Sequence, residues 1–144
     1  MTTKTEAILA YVATLLAGTA AIAAGNIYRS RPEPVSRDES PALLIEKIGE
    51  TADYSNLAYL DWTLQFRIAI VTRGAVPDTL ADPILTSAYS LLMADRTLGG
   101  RVFDILPHSI NFRVLEGDQP VGITDCIFTV KHRTDAADLT TYTS

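Results

Sequence analysis

The sequence predicts an α+β fold: a mixed, mainly antiparallel sheet of about four or five strands with two main helices packed on one face. Two patterns carry that expectation. From Leu60 to Ile70, residues Leu60, Trp62, Leu64, Phe66, Ile68 and Ile70 alternate with Asp61, Thr63, Gln65, Arg67 and Ala69, the period of two that a sheet with one buried and one wet face requires. Such alternation favours an antiparallel sheet covered on one side over a parallel sheet buried on both. Two other stretches, residues 4–17 and 83–94, carry apolar residues at three- and four-residue spacing instead, as helices laid on a core do.

The first helix is predicted over about Lys4 to Ala17. Thr3 caps it and Glu6, three residues on, is placed to complete a capping box. Ile8, Tyr11, Val12, Leu15 and Leu16 form its apolar face, and Gly18 ends it. Residues Asn26 to Arg29 read as a short strand. A loop over about residues 30–41 follows, because three prolines and alternating charges leave it neither helical hydrogen bonding nor a face to bury.

Ala42 to Ile48 reads as a largely buried strand, with Gly49 to Asn56 turning the chain into the alternating strand. After a turn at Arg73-Gly74, Asp82 is placed to cap a second helix whose first residue is Pro83, where a missing N–H costs nothing. Ile84, Leu85, Ala88, Leu91 and Leu92 make its stripe, and Leu98-Gly99-Gly100 stops the chain beyond it. Arg101 to Ile105 and Ser109 to Leu115 read as one strand bent at Pro107. The turn Glu116 to Pro120 joins it in a hairpin to a long last strand, Val121 to Arg133. The predicted order is α, β, β, β, α, β, β, with a loose or partner-bound polar tail over about residues 134–144.

All 144 residues are expected to form one domain, with 47 % hydrophobic and 20 % charged residues as in an ordinary globular chain. A net charge of −5 opposes any role that depends on neutralising phosphates. The single cysteine, Cys126, has no second thiol for a disulfide, zinc knuckle or redox pair. Ala7 to Asn26 carries no charge, and Thr19 to Gly25 has the small residues of a signal-peptidase site. Yet that run is rich in alanine, holds only six Leu, Ile or Val residues and lacks a basic segment before it, so neither export nor a membrane span is expected.

A search for chemistry finds no Gly-rich phosphate loop, no H-E-x-x-H, no paired cysteines and no nucleophile elbow. His108 and His132 each lack a second metal ligand at regular spacing. Asp61 and Asp125 could be paired as acid and base, but carboxylates on a wet sheet face are commonly just solvated. Cys126 falls in register with Phe128 and Val130, as a buried structural thiol would. No catalytic residue, cofactor or metal is expected, and the candidates for function are surfaces. Arg29, Arg31, Glu33, Arg37, Asp38 and Glu39 crowd the Pro-rich loop, and Arg73, Glu116 and Asp118 mark two further turns. Mixed charge of this kind suits register-setting contacts between subunits, and equally a solvated loop.

Read together, Tyr28-Arg29-Ser30-Arg31, Arg73 to Asp78, Ala81 to Leu85, Leu92 to Asp95 with Leu98-Gly99-Gly100, Glu116-Gly117-Asp118 and the closing Phe128 to Thr134 with Asp138-Leu139 resemble the tail terminator, or minor tail protein U-like, proteins of long-tailed bacteriophages. The likeness spans nearly the whole chain but includes no catalytic or exclusive motif, so no functional residue carries over. It implies a structural virion protein at the head–tail junction, assembled in the host cytoplasm. Such a subunit forms a ring, a hexamer, that caps the tail tube, ends its polymerisation and offers a surface for the head. The implied partners are other copies of itself, the major tail tube protein and a head-completion or connector protein. DNA would pass through the lumen without specific binding, which the acidic balance suits. Another head–tail connector or tail-completion protein fits the same pattern, and a small ligand-binding or hydrolytic α+β domain using the sheet face around Asp61, Gln65 and Arg67 is the reading from another class.

Overall fold

A computed structural model describes residues 2–18, 23, 26–30, 40–53, 57–116 and 119–142. It contains α1 (Lys4–Ala17), β1 (Ile27–Arg29), β2 (Ala42–Asp53), β3 (Tyr59–Arg73), α2 (Pro77–Ala94), β4 (Asp104–Leu115) and β5 (Val121–Asp135). The predicted order of elements is the observed one. The five strands form one mixed sheet in the order β1-β2-β3-β5-β4, in which only the β1–β2 pair is parallel. The α+β class, with both helices on one face, is as expected.

Thr3 caps α1 by accepting a hydrogen bond from the Glu6 amide at 3.1 Å. The capping box stays half-made, because the Glu6 carboxylate turns instead to Arg29. Ile8, Leu9, Val12 and Leu16 bury the helix against the sheet, and α2 adds Ala81, Ile84, Ala88 and Leu92. Opposite them β3 contributes Leu64, Phe66, Ile68 and Ile70, each fully buried, and β5 contributes Cys126, Phe128 and Val130. Phe66 and Phe128 sit directly across the β3–β5 pair and stack with centroids 5.5 Å apart.

Three boundaries differ from expectation. First, β2 does not turn at Gly49 but runs to Asp53, still paired with β3, because a bulge between Lys47 and Gly49 absorbs the irregularity. Second, α2 begins at Pro77, not Pro83, and Asp82 is an interior helical residue instead of a cap. Pro77 takes the first-turn place where no N–H is needed. Pro83 is tolerated inside because it and Thr79, whose carbonyl it leaves without a helical donor, both lie on the exposed side. Third, the tail is not loose through its described part. Thr134 is buried in β5, Leu139 O accepts from Lys4 N at 2.9 Å, and the Tyr142 ring meets that of Tyr59 edge-on at 5.8 Å.

The face of the sheet away from the helices is wet only in part. Ala42 and Val71 are buried there, with Tyr28, Leu44, Val121 and Ile123 packed around them. At the other end of this face Asp61, Gln65 and Arg67 are half-exposed, as the alternation predicts. No described helix is long and apolar enough to cross a membrane.

Candidate functional site

Of the nine predicted contact residues, Arg31, Glu33, Arg37, Asp38, Glu39 and Asp118 lie outside the described residues. Arg29 sits on β1 and grips Glu6 of α1 through two bonds of 2.6 and 3.1 Å. The guanidinium holds the Glu6 carboxyl below its usual range, and in this subunit the pair ties β1 to the first helix. Arg73 ends β3 and lines a cavity of about 240 Å³ with Ser40, Pro41, Thr72, Leu80 and Gln119. Glu116 is exposed just past β4. Gly74 N donates to Pro120 O at 3.2 Å, and Ala42, Val71 and Ile123 lie side by side in register. The end of the Pro-rich loop, the β3–α2 turn and the β4–β5 turn therefore meet at one end of the sheet, whereas Arg29 stands apart on the β1 edge.

The groups with chemical potential are scattered. Asp61 aligns with Arg133 and Asp125 with Ala69, which puts the two carboxylates eight residues apart along the sheet, about 26 Å. An acid–base pair across that distance is impossible. Arg133 binds Asp61 at 2.6 and 3.2 Å and holds its carboxyl below the usual range. Cys126 is buried and burial pushes its thiol up to about 11, opposite to what a nucleophile needs. His108 is exposed at an irregularity between Pro107 and Ser109, where β4 shifts register against β5. No group of three metal-ligating side chains occurs among the described residues.

Two features escape sequence reasoning. The first is a polar cluster beneath α1: Thr5 donates to a Glu50 oxygen at 2.7 Å, and His132 Nε2 lies 3.4 Å from the Thr5 hydroxyl and 3.5 Å from the same carboxylate oxygen. These residues line a cavity of about 150 Å³ with Lys47, Trp62 and Thr134. Burial lowers the His132 pKa against the opposing pull of Glu50, so the ring is neutral at pH 7, and its Nδ1 has no partner among the described residues. The polar spacing of β2 beyond Gly49 was the available signal, had it been read as strand.

The second feature is the sheet edge at β4. Ile110, Phe112, Val114, Leu115 and Leu106 are each between 43 and 54 % exposed. Ile110, Phe112 and Val114 align with Cys126, Thr124 and Gly122 and so share the helix-bearing face. Between this strand and α2 runs an open groove of about 560 Å³ lined by Leu85, Thr86, Tyr89, Ser90 and Pro107 to Ile110.

This is the geometry of an α+β scaffold whose unsatisfied features are surfaces. No family model matches the sequence, and no curated protein does. Among solved structures, the fold is similar to that of a chain in the virion of a native gene transfer agent particle. The TM-score is 0.64 at 19 % identity, with 88 % of this chain and 94 % of that chain covered.

Proposed function

We propose that this protein is a structural virion component of a phage-like particle, and specifically a tail terminator: a ring that caps the tail tube, stops its growth and presents a docking surface to the head. The observation that carries this reading is the likeness to the virion chain of a gene transfer agent, which covers 88 % of this chain and 94 % of that one. The pairing of Asp61 with Arg133 and the high thiol pKa of Cys126 fit a role without chemistry. A net charge of −5 suits a ring through which DNA passes without sticking.

Deletion of the gene, followed by electron microscopy of the particles, tests the proposal. Loss of a terminator leaves tubes longer than normal and unjoined to heads, and supplying the protein restores both. Tubes of normal length that merely fail to join heads would make it a connector instead, and normal particles would remove it from the assembly pathway altogether.

A further inference from the structure

We propose that the β4 edge is completed by a second copy of this chain, whose sheet adds to it along the outer edge of β2 over residues 46–53; the choice of a second copy rests on the ring reading above. The strand β4, twelve residues long, pairs with β5 on one side only among the described residues. A long edge strand with exposed apolar side chains is a template for another strand, and proteins that stay apart blunt it with charge, proline or a bulge. Here Pro107 and the register shift next to it interrupt only the first part of the strand. From Ser109 to Leu115 the edge is regular, and Arg113 is its single charge.

The same chain supplies a matching edge. β1 covers β2 only at Leu43 to Ile45, so Glu46 to Asp53 has no strand outside it among the described residues. Three antiparallel steps separate β2 from β4, so the two run in opposite directions. A copy placed beside the first by simple rotation therefore presents its β2 antiparallel to β4, and the sheet's alternation continues across the junction. Charge agrees in sign: residues 105–115 hold Arg113 and no carboxylate, whereas 46–53 hold Asp53 besides Glu46, which Arg67 binds, and Glu50, which Lys47 and Thr5 bind.

The helical layer fits the same arrangement. α1 packs over β1 and β2 on the face that α2 shares, so the incoming copy brings its own α1 toward the groove between α2 and β4. The floor it approaches includes Ile110, which is 54 % exposed and lines the groove. Because the two edges are different surfaces, the contact is heterologous, the kind that builds a ring when the rotation between copies closes.

The test replaces Phe112 with the photo-crosslinking residue p-benzoylphenylalanine in the full chain. Illumination is applied both to isolated tails and to concentrated purified protein. Crosslinked peptides spanning residues 46–53 of another copy are expected. Crosslinks from Phe112 to β4 of another copy, to a different protein, or to nothing in both samples would overturn the proposal. In parallel, the double substitution Ile110→Glu and Phe112→Glu should weaken self-association by at least about tenfold in sedimentation, with an unchanged circular dichroism spectrum. Unchanged association would also overturn the proposal. The two readings fail separately. Normal-length tails in the gene deletion alongside the expected crosslink would end the terminator role but keep the edge pairing, and overlong tails without the crosslink would do the reverse.

Discussion

Arg133 and Asp61 face each other directly across the β3–β5 pair, joined by two hydrogen bonds, while the Tyr59 ring lies 3.9 Å beneath the guanidinium. The arrangement pins the end of β5 that carries the C-terminal segment, because Tyr142 also reaches the same guanidinium at 3.4 Å. It also makes a pH dependence. Arg133 holds the Asp61 carboxyl below its usual value, so the folded chain keeps the charge after the unfolded chain has taken up a proton. Stability is then fully present above about pH 4, the unfolded value, and is lost as pH falls through the lower folded one. Urea midpoints measured at pH 5 and pH 3 should show a smaller acid loss in Asp61→Asn than in the wild type. Equal losses would mean that the pair does not couple to folding.

His132 predicts a second window, nearer neutrality. Burial lowers its pKa, with Lys4 and Lys47 adding to the shift and Glu50 opposing it. Below about pH 6.5 the unfolded chain therefore binds a proton that the folded chain refuses, and stability declines until pH reaches the folded value. His132→Gln should remove this decline between pH 7 and pH 5, whatever it does to stability at pH 7. A decline that survives the substitution would assign it to another group.

Phe66→Ala should cost about 3 to 5 kcal/mol, because it empties a fully buried site and removes the stacking partner of Phe128. Equilibrium denaturation measures it directly. A loss below about 1 kcal/mol would mean that the faces of β3 are assigned backwards.

Cys126 should be silent toward a thiol reagent in the native state at pH 8, since it is fully buried and its thiol is pushed up to about 11. One thiol per chain should react in guanidinium. Rapid labelling of the native protein would contradict the inward register of β5.

The central strand was the most legible element, because β3 lies between two strands under one helical layer and its burial follows the alternation of Leu64, Phe66 and Ile68 closely. The start of α2 was obscured by two prolines, Pro77 and Pro83, that each read as a first helical residue. Only tertiary placement reveals that the second is solvent-facing and tolerated. Gly49 reads as a turn signal, yet it pairs with Gln65 just past a bulge in a strand that continues. The Thr5, Glu50 and His132 cluster unites residues separated by 45 and 127 positions, and no local pattern encodes such a meeting. β4 was legible as a strand but not as an edge, because side-chain alternation carries no record of strand order.

The most direct measurement of the terminator role is the position of the protein on isolated tails, read by electron microscopy with a gold-labelled antibody against it. A single site of label at the head-proximal end of each tail is the predicted result. Label spread along the tube, or found at neither end, would contradict it.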